Sequence, residues 1–323
     1  MEFGPWQTAW KRHARFAADG VWDRVLTVLL TDADAAGELD WAVSVDSTIA
    51  RAHQHATNTT REVSPALIAA RGAQLSYPNP LTEPADHGVG RSRGGLTSKI
   101  HPLVDGWGRP MVLVVTAGQA NDSPVLPALL HGLRVPRVGP GRPRTRPEAV
   151  LADKAYSSRA HRQRLRAAGV NAVIPEPADQ IAHRRRRGSA GGRPPAFDPA
   201  RYRDRNVVER NYALMKQWRG RATRDDKHAT NHRAAAVLHT VITWFRNLRD
   251  TDLPRDSRTW SFALSSCLLV AGVGFAGCLV AQARVQSFGV VPAVDVGGDV
   301  ADRVRTRRVD GAVDTLILEG REE

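Results

Sequence analysis

Three carboxylates stand where they could do chemistry together. Asp46 follows the apolar run Trp41-Ala-Val-Ser-Val45, and Asp153 follows Ala149-Val-Leu-Ala152. Both runs read as short buried strands. If the two strands are adjacent and parallel, both carboxylates emerge at one edge of the sheet, where α/β folds place their ligand sites. Glu209 is the third acid. Tyr202, Arg205, Glu209 and Lys216 are spaced by three, four and seven residues. On a helix they occupy one stripe roughly 60° wide, while Val207, Leu214 and Trp218 supply apolar surface on another side. Taken alone, each Asp reads as a surface cap. The Arg205–Glu209 pair alone reads as a solvated i,i+4 pair, worth roughly 0.3–0.5 kcal/mol. Together, two strand-end Asp and one helix Glu suit two-metal phosphodiester chemistry. Hard oxygen ligands hold Mg²⁺ (Mn²⁺ can replace it). Two ions about 3.5–4 Å apart stabilise the attacking and leaving oxygens of an in-line displacement.

The elements that must position these acids follow from the pattern along the chain. Residues 3–30 read as short helices around Gly20, with Trp6, Trp10, Phe16, Trp22, Val25, Leu26 and Leu29 on apolar faces. Residues 51–95, rich in His, Thr, Gly, Pro and Ser, read as a long irregular excursion. Leu96–Val104 and Met111–Thr116 are strands joined by the turn Asp105-Gly-Trp-Gly108. Ser123–Leu133 and Ser158–Ala168 are helices, and Ala172–Ile174 is a strand closed by Pro175. Asp198-Pro199 and Gly220 would start and stop a helix of about 21 residues, roughly 31 Å long. A last helix, Asn231–Leu248, turns Ala235, Leu238, Val241, Ile242 and Phe245 inward. Strands that first cluster and then alternate with helices predict an α/β fold with a mixed sheet flanked by helices.

Charge narrows the class of partner. The 323 residues hold 46 basic against 33 acidic side chains, and only five of the basic ones are Lys. Guanidinium favours bidentate contact with phosphate, so a polyanion is the expected partner. Residues 251–323 hold eight Arg against ten Asp and Glu, so the surplus lies in the first 250 residues. It peaks over residues 183–205, where Gly188, Gly191, Gly192, Pro194 and Pro195 suggest an irregular loop. Arg184, Arg185, Arg186 and Arg187, just upstream of the Glu209 helix, are expected to hold a DNA backbone, fixing position without reading sequence. Cys267 and Cys278 are too few for a disulfide scaffold or a Cys-built zinc site. His53 and His55 are read as solvent-facing or DNA-contacting. Ser47 and Ser157 lack the Gly-x-Ser-x-Gly setting of an activated nucleophile.

The ordered motifs carry a resemblance. Val45-Asp-Ser-Thr48 is followed by Arg51-Ala-His-Gln-His55 and by Gly90-Arg-Ser-Arg-Gly-Gly-Leu-Thr-Ser-Lys-Ile-His101. Then come Thr116-Ala-Gly-Gln-Ala-Asn-Asp122, Leu151-Ala-Asp-Lys-Ala-Tyr156 and the stretch Tyr202 to Gly220. Over about residues 3–250 the chain resembles DDE transposases of bacterial insertion sequences, in the insertion-sequence-five family of the insertion-sequence-four superfamily. Its Tyr202, Arg205, Glu209 and Lys216 match that superfamily's Tyr/Arg/Glu/Lys signature. The resemblance implies an RNase H-like catalytic domain over 36–250 with a basic insertion at 176–205. It makes Asp46, Asp153 and Glu209 the catalytic and metal-binding acids. It also implies hydrolysis at transposon ends and attack of the exposed 3′-OH on target DNA, with no protein nucleophile and no small-molecule substrate. Arg205 and Lys216 would position transposon-end phosphates, and Tyr202 would contact DNA near the cut. Double-stranded DNA, a homo-oligomer assembled on it, and a cytoplasmic, nucleoid-associated location follow from the same resemblance.

Two stretches depart from the family pattern. Family members carry a helix-turn-helix region before the text Gly4-Pro-Trp-Gln7, so the chain is expected to be N-terminally shortened, with residues 1–35 a helical remnant of that region. Residues 251–323 read as an atypical tail, disordered or hydrophobic. Its uncharged run 259–283 is long enough to cross a membrane, but Ser261, Ser265, Ser266 and several Gly argue against that. A catalytically incompetent, DNA-binding relic is the alternative reading.

Overall fold

The computed structural model describes residues 5–59 and 81–248, together with the backbone of two short strands at 305–309 and 313–317. Helices α1 (Trp6–Ala18) and α2 (Val21–Ala35) meet at Gly20, whose φ of +64° is the left-handed conformation that glycine adopts without strain. Strand β1 (Ala42–Val45) leads through Asp46-Ser47 into β2 (Thr48–Ala52) and a single helical turn, α3 (Gln54–Thr57). Next come β3 (Gly90–Ser92), β4 (Gly95–Val104) and β5 (Pro110–Ala117). A 3₁₀ turn at Ser123–Val125 opens α4 (Leu126–Gly132), and β6 (Ala149–Ala152), α5 (Arg159–Ala167) and β7 (Asn171–Val173) follow. The chain continues through α6 (Ala178–Arg186), α7 (Pro199–Tyr202), α8 (Asn206–Lys216), α9 (Arg219–Ala222), β8 (Thr223–Arg224) and α10 (Ala229–Leu248). Strands β9 (Arg305–Val309) and β10 (Val313–Ile317) pair antiparallel.

The central strands lie in the order β5-β4-β1-β6-β7. Strands β4 and β5 pair antiparallel, β4 and β1 antiparallel, and β1, β6 and β7 run parallel. An antiparallel meander followed by two parallel strands, with helices on the faces, is the RNase H-like arrangement expected from the sequence. The mixed sheet brings the ends of β1 and β6 to the same edge.

Of the excursion expected over 51–95, residues 60–80 lie outside the described residues; the described parts include the end of β2, α3, β3 and the start of β4, and β2 follows β1 without leaving the sheet. The pairing of β1 with β4 (Val45 opposite Leu103) and of β2 with β4 (Thr48 opposite Ile100) keeps one register. Continued through the gap, that register sets Asp46 opposite Pro102. Proline has no N–H to donate, which accounts for the ladder lapsing there and releasing the Asp46 side chain toward the edge.

The main core lies under α1, α2 and α10. Phe16, Trp22, Val25, Leu26 and Leu29 pack with Val237, Val241 and Trp244 and with β5. Trp244 is fully buried, and its indole N–H donates to Pro110 O at 2.7 Å, which satisfies the polar end of a large apolar ring. Arg233 ties α10 to α2 through Asp23, at 2.6 and 3.0 Å. The inward stripe of the last helix includes Ala235, Leu238 and Val241 as expected, and adds Ala234, Val237 and Trp244.

The long helix expected over 199–219 is instead segmented. A 3₁₀ turn at Arg203–Arg205 separates α7 from α8, and α8 stops at Lys216, short of Gly220. Tertiary ties bend the chain here. Arg224 is fully buried and donates to Ser98 Oγ at 2.6 Å, Gly88 O at 3.1 Å and Asp226 O at 2.8 Å, while β8 pairs with β2. These bonds draw the backbone into the sheet after the single turn α9. The buried face of α8 is Val207, Val208, Asn211 and Met215, whereas Leu214, expected on the apolar side, is exposed. Among the described residues, no helix is long and apolar enough to cross a membrane; the uncharged run 259–283 lies outside them.

Candidate active site

Strands β1 and β6 pair in parallel register, with Val45 opposite Ala152. Asp46 and Asp153, one residue beyond the paired runs, therefore stand side by side where the β1–β6 pairing ends. The strands beneath them are rigid: Val43, Val45, Val150 and Ala152 are fully buried. Each Asp then bends its own chain. Asp46 Oδ1 accepts from Ser47 N at 2.8 Å, and Asp153 Oδ1 accepts from Lys154 N at 2.6 Å, capping a 3₁₀ turn at Lys154–Tyr156.

Helix α8 brings the third acid. It packs on β1 and β4, with Val207 and Val208 against Val104. The β4–β5 turn permits that approach. Gly108 has φ of +87°, and a Cβ there would stand 2.9 Å from Val207 O. The Arg205 guanidinium then spans the site, with Nη1 donating to Asp46 Oδ2 at 2.8 Å and Nη2 to Glu209 Oε1 at 2.7 Å. Burial works against the Arg205 charge, but the Asp46 and Glu209 carboxylates outweigh it and raise the group above the ordinary arginine range. Burial pushes Asp46 above the usual carboxylate range, although Ser47 N and Arg205 pull it down.

The three acids share one electrostatic environment. Tyr156 is fully buried, and its hydroxyl has no hydrogen-bond partner among the described residues. Its pKa is raised first by burial, then by the fields of Asp122, Asp46 and Asp153. The buried Tyr212 hydroxyl is likewise without a partner among them, and is raised by burial, then by Asp46, Tyr156, Glu209 and Asp122. The ligand oxygens of Asp46, Asp153 and Glu209 are not all within 4.8 Å of one another. Arg205 stands between Asp46 and Glu209 and holds them apart while neutralising their repulsion. The donors are nevertheless all carboxylate oxygens, two at one sheet edge and one on the helix packed on β1 and β4, and Asp153 Oδ2 makes no hydrogen bond among the described residues. That donor set fits a hard divalent cation such as Mg²⁺.

Three neighbours of the site were not legible as functional residues from the sequence. Tyr156 and Tyr212 each lie three positions after a site acid, Asp153 and Glu209, a spacing that places a side chain near the acid on a helical turn. Asp122 closes the motif that begins at Thr116. Lys99 pairs with it at 2.9 Å, and His101 Nδ1 lies 3.9 Å away. His101 is buried, and desolvation pushes it down to about 4 against the pull of Asp122, so it is neutral at neutral pH.

The expected DNA-contacting residues divide. Lys216 is exposed at the last turn of α8. Tyr202 is half-buried, its ring 5.4 Å from Phe197 and under the Arg205 guanidinium at 5.8 Å. Arg184–Arg186 end helix α6 rather than forming a loop. Basic side chains suit a helix C-terminus, where the dipole is negative. Arg184 is engaged with Glu176, at 2.7 and 3.3 Å, whereas Arg185, Arg186 and Arg187 are exposed. His53 caps the α3 turn by accepting from His55 N at 3.3 Å, and the Ser157 hydroxyl bonds Gln180 Oε1 at 3.0 Å.

An RNase H-like sheet with two strand-end aspartates and a helix glutamate at one edge defines the class of DDE nucleic-acid-processing proteins. A family model described as "Transposase DDE domain" matches residues 37–244, more than half of the chain, and the chain belongs to that family. It is 31% identical over 162 residues, 50% of this chain and 68% of the relative, to a Burkholderia cepacia protein assigned as the transposase for insertion sequence element IS402. It is 28% identical over 151 residues, 47% of this chain and 100% of the relative, to a Brucella ovis protein assigned as the transposase for insertion sequence element IS6501. No solved structure matches.

Proposed function

We propose that this DNA transposase cuts at the ends of an insertion sequence of the insertion-sequence-five type and joins the resulting 3′-OH to target DNA. The observation that carries this reading is the parallel pairing of β1 with β6, which sets Asp46 beside Asp153, with Glu209 linked to Asp46 through Arg205. Asp46, Asp153 and Glu209 would hold two Mg²⁺ ions, which when bound would neutralise charge building on the attacking and leaving oxygens. The residues of the chain do the rest. Asp46 and Asp153, anchored on buried strands, orient their oxygens toward one scissile phosphate. Arg205 steadies Asp46 and Glu209 against each other, and with Lys216 it supplies positive charge for the flanking backbone. Water attacks phosphorus and the bond to the 3′ oxygen breaks. That hydroxyl then attacks a target phosphate in the same geometry and displaces the target's own 3′ oxygen. The substrate is double-stranded DNA bound by a homo-oligomer in the nucleoid, and residues 36–250 form the catalytic domain.

The test is cleavage of DNA bearing the element's ends by the purified chain with Mg²⁺, compared with Asp153→Asn. Loss of a charge-stabilising ligand should lower the rate at least about a hundredfold, or about 3 kcal/mol. Equal cleavage by both proteins would reject the site.

A further inference from the structure

A second cluster of metal-ligating side chains lies apart from the three acids in sequence and in donor chemistry. Glu83, His87 and His228 have ligand atoms all within 4.8 Å of one another, the one such group among the described residues. The carboxylate is fixed at the start of α10. Glu83 Oε1 accepts from Ala229 N at 2.7 Å, and Oε2 accepts from Thr230 N at 2.9 Å and Thr230 Oγ1 at 2.8 Å. Burial raises Glu83, but these bonds and the one to His87 outweigh it, and the group stays ionised. His87 Nδ1 lies 2.7 Å from Glu83 Oε1, and His228 Nδ1 lies 3.8 Å from the same oxygen. The two rings meet edge to face, with centroids 5.4 Å apart.

The backbone conformation points the same way. His87 has φ of +51°, the one non-glycine residue in the left-handed region among those described. That conformation is uncommon for residues other than glycine, and such positions persist where their surroundings hold them. Here it turns the ring onto Glu83.

Donor type and spacing select the ligand. A four-coordinate zinc ion sits about 2.0–2.2 Å from nitrogen and oxygen ligands, so those ligands lie roughly 3.3 Å apart. The separations of 2.7 and 3.8 Å bracket that value. Two imidazoles with one carboxylate suit zinc and its neighbours in the first transition row, whereas Mg²⁺ takes oxygen donors. We propose that Glu83, His87 and His228 bind one divalent transition-metal ion of the zinc type, as a clasp between the chain entering β3 and the start of α10. Binding replaces the His87–Glu83 hydrogen bond with two bonds to a shared ion. The helix N–H groups already holding Glu83 act as the outer shell that orients a ligand. His228, half-exposed, closes the site from the solvent side.

The experiment is a Co²⁺ titration of the full chain followed by visible absorption, then displacement with Zn²⁺. One equivalent should give the d–d bands of a low-coordinate site, and Zn²⁺ should abolish them. The bands should persist in Asp46→Asn and Asp153→Asn. They should disappear in His228→Ala, with an affinity drop of at least about a hundredfold, beyond what removal of an outer-shell partner causes. His228→Ala leaves the Glu83 cap intact, and circular dichroism and metal-free melting should match the parent. His87→Gln gives a second variant on the other side of the clasp. Absence of bands in the parent overturns the proposal, as does a Co²⁺ signal that survives both His variants or vanishes with Asp153→Asn.

Discussion

Arg205 reaches 159 residues back along the chain to place Nη1 2.8 Å from Asp46 Oδ2, while its other nitrogen holds Glu209 at 2.7 Å. A single guanidinium therefore sets the distance between a strand acid and a helix acid. Planar, two-pronged donation suits that role, and lysine cannot reproduce it.

The first prediction concerns that bridge and pH. Asp46 already titrates above the ordinary carboxylate range because of burial, and Arg205 opposes the rise. Removing the guanidinium should raise Asp46 further. Activity needs the ionised carboxylate and falls as pH drops through its pKa, so the acidic limb of the cleavage profile should move to higher pH in Arg205→Ala. Arg205→Lys should fall between, keeping charge near Asp46 without the fork. A limb that stays in place in both variants would show that Arg205 does not control Asp46.

The second prediction separates stability from activity. A carboxyl whose folded pKa is raised contributes stability at low pH and loses it as pH rises through that value. At neutral pH the charged Asp46 is thus a burden on the fold. Asp46→Asn should melt at or above the parent temperature at pH 7, with Arg205 still held by Glu209, while cleavage is abolished. The difference in melting temperature should shrink below about pH 4, where the carboxyl is protonated in both folded and unfolded chains. A large drop in melting temperature at pH 7 would make Asp46 a structural residue.

The third prediction concerns the basic end of α6. Arg185, Arg186 and Arg187 are exposed, whereas Arg184 is committed to Glu176. Replacing the three exposed residues with Ala should weaken DNA binding and flatten the log-salt slope by about 0.9 for each phosphate no longer neutralised. Arg184→Ala should change the slope less. Equal slopes for parent and triple variant would remove this helix end from the interface.

The strands bearing Asp46 and Asp153 were legible because a short apolar run ending in an acid has one local meaning on a sheet edge. The Tyr202-to-Lys216 spacing was legible because helical period places those residues on one face. Charge composition pointed to a polyanion, since it depends on no tertiary geometry. The end of α8 was not legible, because buried Arg224 bonds to Gly88, Ser98 and Asp226 decide where the helix stops. The helix at Ala178–Arg186 was hidden by the glycines and prolines that follow it.

By itself, the amino-acid order determined which side chains carry the acids and bases, and which short segments are strands or helices, because those properties rest on residues within a few positions of one another. Only the tertiary structure decided that Val45 lies opposite Ala152, that Arg205 stands between Asp46 and Glu209, and that Glu83 meets His87 and His228 at the start of α10. Such pairings join residues far apart in the chain, and their geometry exists only once the sheet register and the helix packing have closed the intervening loops.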